Sequence, residues 1–368
     1  MREIQGRTVA KKKGAMLLIL LLLLLGLSAC GKPIAQEGET KEVTDCMGRA
    51  VTIPQDPQRV VCLYASTAHI VAMLDEGDRI VGVPNGVKTD VLMSTKYPKL
   101  EEASVPAQTG VINAEELLSL DADVALVRES TAQTPGETEK LDKLGIPYVV
   151  VDYASIEGLK EAVTVTGQVF NKETQAAEYN RFVEETITMV EGRLSGKTAN
   201  APKVYHAVNE AIRTDAQDDI SMEIIQKAGC IDVAEGKALI QEKDSAYTTI
   251  EEIYNWSPEA IIANEASVKN YILNDGKWSG LTAVKEQQVY TLPVGISRWC
   301  HPGSMEPQMG VLAVAYQFYP EAFADFDFNA YVRDYYQKYF DLSLDKETVN
   351  KILSGEGMRK SNSADKGK

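Results

Sequence analysis

Short motifs for catalysis and nucleotide binding are lacking in this sequence. It contains no G-x-G-x-x-G, G-x-x-x-x-G-K-S/T, G-x-S-x-G or H-E-x-x-H motif. Histidine is scarce as well, with three residues in the whole chain, His69, His206 and His301. Because the sequence nominates no nucleophile beside a base, we predict that the protein is not an enzyme.

Cysteine and positive charge are also in short supply. The five cysteines (Cys30, Cys46, Cys62, Cys230 and Cys300) include no C-x-x-C pair, which excludes a zinc framework and a disulfide scaffold. The chain has 53 acidic against 38 basic residues and a net charge of −15. Residues 1–29 carry a net +4, so the rest carries −19. A surface this acidic repels nucleic acid, and we predict no nucleic-acid partner.

The longest hydrophobic run lies near the N-terminus. Basic residues precede the apolar residues 15–25, which are too few for a membrane span of about 20 residues. A basic start, a short apolar run and small residues before a cleavage point are typical of a secretory signal. The sequence L-S-A-C at 27–30 resembles a bacterial lipobox, which implies that Cys30 is diacylated and becomes the mature N-terminus. At about 0.8 kcal/mol per buried methylene, its acyl chains would hold the protein on the extracytoplasmic face of a membrane.

Strand and helix patterns alternate through the rest of the chain. Buried-strand runs such as R-V-V-C-L-Y at 59–64 and V-A-L-V at 124–127 are separated by segments of helical spacing, which predicts largely parallel sheets. Apolar residues recur at helical intervals through 174–194 and predict one long helix. A second series of strands and helices begins after residue 202. We therefore predict the α/β class, with two Rossmann-like lobes, each built on a mostly parallel sheet, joined by a single long helix.

The two predicted lobes carry a weak internal repeat. The segments NAEELLSLDADVALV (113–127) and TIEEIYNWSPEAIIA (249–263) share a Glu-Glu pair, an apolar helix face and a following strand. The predicted boundaries are a signal peptide at 1–29, a tether at 30–42, an N-terminal lobe at 43–172, the linking helix at 173–197, a C-terminal lobe with closing helices at 198–357 and a disordered tail at 358–368.

Three arginines follow predicted strands, although the protein is acidic. They are Arg128 after V-A-L-V, Arg213 beyond Y-H-A-V-N-E-A-I and Arg298 after V-Y-T-L-P-V-G-I-S. In open α/β sheets, ligands bind outside the carboxyl ends of the strands, so two facing lobes would direct all three arginines into one cleft. Guanidinium groups suit carboxylates, catecholates and phosphates.

Other side chains in these loops are candidates for the same cleft. Tyr64 ends the first strand, with Ser66 just after it, and Trp299 follows Arg298. Aromatic side chains beside cations suit a large, flat or aryl-bearing ligand. His301 is a candidate iron or cobalt ligand, because neutral imidazole binds such metals. Convergence of all three histidines on a bare metal ion is an alternative, although His206 within a strand is more typical of a structural residue.

Several blocks together resemble one protein family. TDCMGRAVTIPQDPQRVVCLYAS (44–66), INAEELLSLDADVALV (112–127), SMEIIQKAGCIDVAE (221–235), TTIEEIYNWSPEAIIA (248–263), KWSGLTAVKEQQVYTLP (277–293) and EPQMGVLAVAYQFYPEAF (306–323) are similar, in order and spacing, to substrate-binding proteins of ABC importers for ferric siderophores, haem and cobalamin. The resemblance implies two lobes bridged by a rigid helix, with the ligand between them. It also implies docking of Glu115 and Glu251 onto arginines of the permease, with Glu116 and Glu252 as neighbours that blur the assignment by one residue.

The ligand is less defined than the fold, because the loop R-W-C-H-P-G at 298–303 departs from the better-known members. The three arginines favour an anionic ferric siderophore, or haem through its propionates, and cobalamin is the nearest alternative. An extracytoplasmic bare-metal-binding protein or an enzyme on the same scaffold is the alternative from a different class. Apart from the N-terminal lipid, no covalent cofactor is expected. The expected partners are an ABC permease with its ATPase, the membrane and a small metal chelate, and the protein is expected to be a monomer.

Overall fold

A computed structural model describes residues 39–108, 110–242 and 245–360 of the 368-residue chain. The described residues from Lys41 onward form one compact unit. The signal peptide, Cys30 and most of the tether lie outside the described residues. No helix within the described ranges is long and apolar enough to cross a membrane.

The first lobe is built on a four-stranded parallel sheet. Its strands have the order β4-β3-β7-β8, with β3 (Val60–Cys62), β4 (Ile80–Gly82), β7 (Val124–Val127) and β8 (Tyr148–Val150). Two small pairs flank it, β1 (Thr40–Thr44) with β2 (Ala50–Pro54) and β5 (Ala107–Gln108) with β6 (Val111–Ile112). The helices of this lobe are α1 (Ala65–Met73), α2 (Asn85–Lys88), α3 (Val91–Lys96), α4 (Ala114–Ser119), α5 (Glu129–Ala132), α6 (Pro135–Leu144) and α7 (Ile156–Phe170), with 3₁₀ turns at Gly77–Arg79 and Pro98–Glu101.

One long helix, α8 (Glu173–Leu194), follows the first lobe and spans 22 residues, about 33 Å at 1.5 Å per residue. It packs against α7 and, later in the chain, against α13 (Pro307–Phe318). Its buried face runs from Ala176 and Tyr179 to Val190 and Leu194, whereas the apolar residue Ala177 is exposed. The helix ends three residues before the boundary at 197, and a 3₁₀ turn follows at Thr198–Asn200.

The second lobe repeats the architecture of the first. Its parallel sheet has the order β11-β9-β14-β15, with β9 (Lys203–Ala207), β11 (Ile231–Asp232), β14 (Ala260–Ala263) and β15 (Val289–Thr291). A small antiparallel sheet of order β10-β13-β12 is added, from β10 (Arg213–Thr214), β12 (Ile240–Glu242) and β13 (Ser245–Tyr247). The helices around α13 are α9 (Ile220–Lys227), α10 (Ile250–Trp256), α11 (Ala266–Asn274), α12 (Thr282–Lys285), α14 (Phe328–Phe340) and α15 (Lys346–Ser354), with a 3₁₀ turn at Pro320–Phe323.

The two parallel sheets share one topology. In each, the second strand in chain order lies on one side of the first, and the third and fourth lie on the other. The central strands β7 and β14 are buried along their whole length, as expected for a sheet covered by helices on both faces. This architecture confirms the predicted α/β class with two mostly parallel sheets.

The chain ends depart from the predicted boundaries. The tether prediction is wrong at residues 40–42, which belong to β1. The tail prediction is wrong at 358–360, because Met358 is 1% exposed in the core and its carbonyl accepts a hydrogen bond from the Val91 amide at 3.2 Å. Arg359 lies 3.3 Å from Asp90 and donates to the carbonyls of Gly295 and Ile296 at 3.2 and 3.1 Å. The end of the chain therefore ties the first lobe to the segment after β15.

Candidate ligand-binding cleft

A cavity of about 290 Å³ opens between the two lobes. It is lined from the first lobe by Tyr64, Ser66, Arg128, Ser130, Asp152, Tyr153 and Ala154, and from the second by Ala216, Gln217, Asp218, Asp219, Pro302 and Gly303. The first-lobe residues follow the carboxyl ends of β3, β7 and β8. Ligands of open α/β sheets bind at this edge, so the cavity is the candidate site.

The first-lobe wall presents donors to the cavity. Tyr64 is the residue before α1, and Ser66 lies in the first turn of that helix, 2% exposed. Amide groups at a helix N-terminus attract negative charge. The Arg128 guanidinium lies 5.1 Å from the centre of the Tyr64 ring, a cation–π distance that holds the arginine at this wall. The Tyr153 hydroxyl donates to the Gly303 carbonyl at 3.2 Å and so joins the two lobes at the cavity.

Carboxylates also line the cavity, and sequence reasoning missed them. Asp152 follows β8, and its oxygens accept hydrogen bonds from the Glu129 and Tyr153 amides, both at 2.9 Å. Asp219 precedes α9 and accepts from the Ser221 amide at 3.1 Å. The rule that placed Arg128 after a strand would also have found Asp152. For Asp219, the only signal in the sequence was the D-x-S pattern at the start of α9.

Arg213, Arg298 and His301 lie together in the second lobe. Arg298 forms an ion pair with Glu265, and its Nε atom is buried without a hydrogen-bond partner in the described part of the chain. Burial, and then the positive charges of Arg298 and Arg213, lower the pKa of His301 to about 3, so this ring is neutral. His301 directly precedes the cavity residues Pro302 and Gly303. Arg213 and Arg298 therefore lie beside the second-lobe wall rather than among its lining residues.

Trp299 does not form an aromatic wall of the cleft. Its side chain is fully buried, and its indole donates to the Tyr336 hydroxyl at 3.3 Å. The ring centre lies 6.2 Å from that of Phe328. The placement of Trp299 in the cleft was therefore wrong. The loop turns the side chain of Trp299 into the core, while its neighbour Arg298 forms a half-buried ion pair with Glu265.

The three histidines occupy separate environments. The His301 Nδ1 atom accepts from the Gly303 amide at 3.2 Å, and its Nε2 atom lies 3.2 Å from the Asn209 amide group. His206 is fully buried against Asp215, and His69 lies 3.5 Å from Asp90. In residues 39–108, 110–242 and 245–360, no group of three or more histidine, cysteine, aspartate or glutamate side chains could hold a metal ion. The three-histidine interpretation is wrong.

The two candidate docking glutamates hold equivalent positions. Glu115 is the second residue of α4, whose first turn is capped by Asn113, and Glu251 is the second residue of α10, capped by Thr249. Each of these helices leads into the third strand of its sheet, and both glutamates are exposed. Glu116 accepts a hydrogen bond from the Ser104 hydroxyl, which leaves Glu115 as the better candidate in the first lobe.

Comparisons with known proteins agree with this architecture. A family model described as periplasmic binding protein matches residues 60–294. The molybdate-binding protein MolA of Haemophilus influenzae is 27% identical, over 82% of this chain and 91% of its own. Its solved structure with molybdate has a TM-score of 0.75, with 25% identity over 83% of this chain and 99% of that one.

Two further relatives are more distant. An uncharacterized ABC transporter substrate-binding lipoprotein of Bacillus subtilis, YvrC, is 23% identical over 86% of this chain and all of its own. The high-affinity haem uptake system protein IsdE of Staphylococcus aureus is 24% identical over 64% of this chain and 81% of its own. By their names, MolA binds molybdate and IsdE belongs to a haem uptake system, so the named ligands differ.

Proposed function

Because this chain belongs to the periplasmic binding protein family, we propose that it captures a compact anionic metal compound whose charge is carried by oxygen atoms. The chain is a substrate-binding protein of an ABC importer and not an enzyme. It works outside the cytoplasm with a permease and an ATPase.

The donor character of the first-lobe wall carries this proposal. Arg128, the Ser66 and Ser130 hydroxyls and the N-terminus of α1 meet at one side of the cavity. Charge-assisted hydrogen bonds from such groups are strongest to anionic oxygen atoms. Arg213 adds positive charge beside the opposite wall, where Arg298 is paired with Glu265. This pattern suits an oxyanion or the anionic face of a chelate.

The size of the cavity favours a small ligand. Its volume of about 290 Å³ is at the lower end of the range of roughly 300–1,000 Å³ for small-molecule sites. Haem and corrinoid ligands therefore fit the site less well than a compact anion. Two sources share the anionic oxygen chemistry: molybdate, which the name of the relative MolA supports and which suits the volume, and a ferric siderophore, which the sequence predicts but which is comparable in size to haem.

Titration calorimetry with purified protein tests the proposal. Molybdate and a ferric catecholate chelate are the two probes, and haem and cyanocobalamin are the comparison ligands. We expect one of the anionic probes to bind more tightly than either comparison ligand. Preference for haem or cyanocobalamin would contradict the proposed ligand class, and the two anionic probes tell its sources apart.

Replacing Arg128 with glutamine should weaken binding of the anionic probe. A hydrogen bond to a charged group is worth about 1.5–3 kcal/mol, which corresponds to roughly 10- to 150-fold in affinity. The control is Arg181→Gln, which removes the same charge from the exposed side of α8. Equal affinities of the two variants would show that Arg128 does not hold the ligand.

We also propose that lipid on Cys30 anchors the mature protein, as the lipobox-like sequence indicates, and that the protein is a monomer. Cys30→Ala should release the protein from membranes into the medium or the periplasmic fraction. Membrane fractionation followed by immunoblotting measures this. A variant that stays with the membrane would rule out Cys30 as the anchor.

A further inference from the structure

A buried polar cluster reaches the cleft through Asp219. Ser221 is fully buried, and its hydroxyl lies within hydrogen-bond distance of two carboxylates, Oδ1 of Asp215 and, at 3.0 Å, Oδ1 of Asp219. Asp215 in turn contacts Nδ1 of His206 at 2.7 Å. Asp215 and His206 are fully buried, whereas Asp219 lines the cavity.

The contacts of the Ser221 hydroxyl with two carboxylates require an additional proton. A hydroxyl group has one hydrogen and can donate it to one carboxylate at a time. If Ser221 donates to Asp215, its contact with Asp219 is favourable only when Asp219 is protonated and donates to the Ser221 oxygen. The Asp215–Ser221–Asp219 chain of oxygen atoms is therefore built to hold a proton next to the ligand cavity.

The charges around Asp219 support this reading. Burial, and then the negative charge of Asp215, raise the pKa of Asp219 to about 6, while hydrogen bonds from Ser221 and the charge of His206 act in the opposite direction. The titratable and charged groups that face it are Asp215, His206 and Cys300 from the second lobe, with Asp232 behind Asp215, its neighbour Asp218, and Arg128, Asp152 and Tyr153 across the cavity. Negative charges predominate among these groups. The charge of an arriving anion adds to them and therefore favours protonation of Asp219 further.

We propose that capture of the anionic ligand is coupled to the uptake of one proton by Asp219, which then donates a hydrogen bond to the Ser221 oxygen and no longer repels the ligand. This inference rests on the proposed function. A carboxylate in the wall of an anion site would otherwise oppose binding, whereas a carboxylic acid carries no charge. Protonation of Asp219 thereby removes one of the three negative charges that Asp152, Asp218 and Asp219 place around the cavity.

The sign of the pH dependence follows from linkage. Below the pKa of ligand-free Asp219 the proton is already in place, so affinity is greatest there. Above that pKa binding must take up the proton, and affinity falls by up to tenfold for each pH unit until the pKa of the complex is passed. Because the pKa of Asp219 in the ligand-free protein is about 6, we expect the fall in ligand affinity between pH 6 and 8.

The test compares three proteins between pH 6 and 8, with molybdate and the ferric catecholate chelate as probes. Wild-type affinity should fall at least tenfold over this interval. Asp219→Asn should remove the fall and bind more tightly than wild type at pH 8, because the amide is a permanent donor without charge. Asparagine is also a good N-cap residue, so α9 should keep its first turn.

Asp218→Asn is the matched control. Asp218 lines the same cavity and is exposed, outside the chain of contacts through Ser221. Removing its charge should strengthen anion binding by a similar factor at every pH and leave the pH dependence in place.

Calorimetry in two buffers of different ionisation enthalpy should show uptake of close to one proton at pH 7.5 by wild type and none by Asp219→Asn.

Two failures can be told apart. If neither probe binds at any pH, the proposed function is wrong, and this inference fails with it. If a probe binds with an affinity that is constant from pH 6 to 8, or that Asp219→Asn lowers at pH 8, the proposed function stands and proton-coupled capture is wrong.

Discussion

Simultaneous replacement of Glu115 and Glu251 with alanine is expected to abolish uptake and leave ligand affinity unchanged. The two glutamates are exposed in the first turns of equivalent helices, α4 and α10. If each pairs with an arginine of the permease, as the family resemblance implies, removing one partner of a buried ion pair costs about 2–5 kcal/mol. Losing both pairs weakens the complex with the permease by a factor of at least about 1,000.

Uptake of labelled ligand by whole cells, together with calorimetry on the purified variant, measures both effects. Glu157→Ala with Glu347→Ala is the matched control, since both are exposed first-turn glutamates, of α7 and α15. Glu347 forms an exposed ion pair of little energy with Lys351, and Glu157 pairs with Lys160, which also contacts Glu184 and so keeps a partner. Normal uptake by the Glu115/Glu251 variant, or weakened ligand binding, would show that these residues have another role.

The sequence was sufficient to predict helices and strands wherever its apolar pattern is periodic. The repeat at 113–127 and 249–263 combines a helical face with a buried strand, and the structure forms α4 with β7 and α10 with β14 from it. Each fully buried strand of a parallel sheet must be apolar along its length, so strands such as β7 and β14 are visible in the sequence.

Side-chain directions in the loops could not be derived in this way. Arg298 and Trp299 are neighbours, yet Arg298 pairs with Glu265 and Trp299 is buried against Tyr336. Asp219 looked like any acidic residue of an acidic chain, because the sequence does not show that Ser221 connects it to the buried Asp215 and His206. Long-range packing, rather than local pattern, decides which of these side chains reach the ligand.

The connection of the lobes also depends on distant parts of the chain. In addition to α8, two hydrogen bonds join the lobes. The Tyr153 hydroxyl donates to the Gly303 carbonyl across the cavity, and Glu223 accepts from the Ile156 amide at 2.8 Å. Arg359 adds a link from Asp90 to the carbonyls after β15. These contacts favour limited movement between the lobes, as expected for two domains bridged by a rigid helix.

Replacement of Asp215 with alanine is expected to lower the free energy of unfolding by about 3–5 kcal/mol. Asp215 and His206 are both fully buried, with Nδ1 and Oδ2 2.7 Å apart, and the other ring nitrogen of His206 lies 3.2 Å from Asn264. Removing one partner of a buried charge pair leaves the other uncompensated, which accounts for the size of the loss.

The pH dependence of this loss identifies the pair as its source. Burial alone would lower the pKa of His206, but Asp215 outweighs it and the pKa is raised above 6.5; burial alone would raise the pKa of Asp215, but His206 outweighs it and the pKa is lowered below 3.8. The histidine contribution is complete below pH 6.5 and is lost as pH rises through its folded-state pKa, and the aspartate contribution is complete above pH 3.8 and is lost as pH falls. The pair therefore stabilises the fold most between about pH 4 and 6.5.

Urea denaturation of wild type and Asp215→Ala at pH 5.5 and 8.5 measures the effect. We expect the difference in unfolding free energy to be larger at pH 5.5, because His206 is fully charged there in the wild type. Asp345→Ala is the control: Asp345 caps α15 by accepting from the Thr348 amide at 2.8 Å at an exposed position, so its loss should cost about 1 kcal/mol at both pH values. A loss for Asp215→Ala below 1 kcal/mol, or one larger at pH 8.5, would show that the buried pair does not stabilise the second-lobe wall.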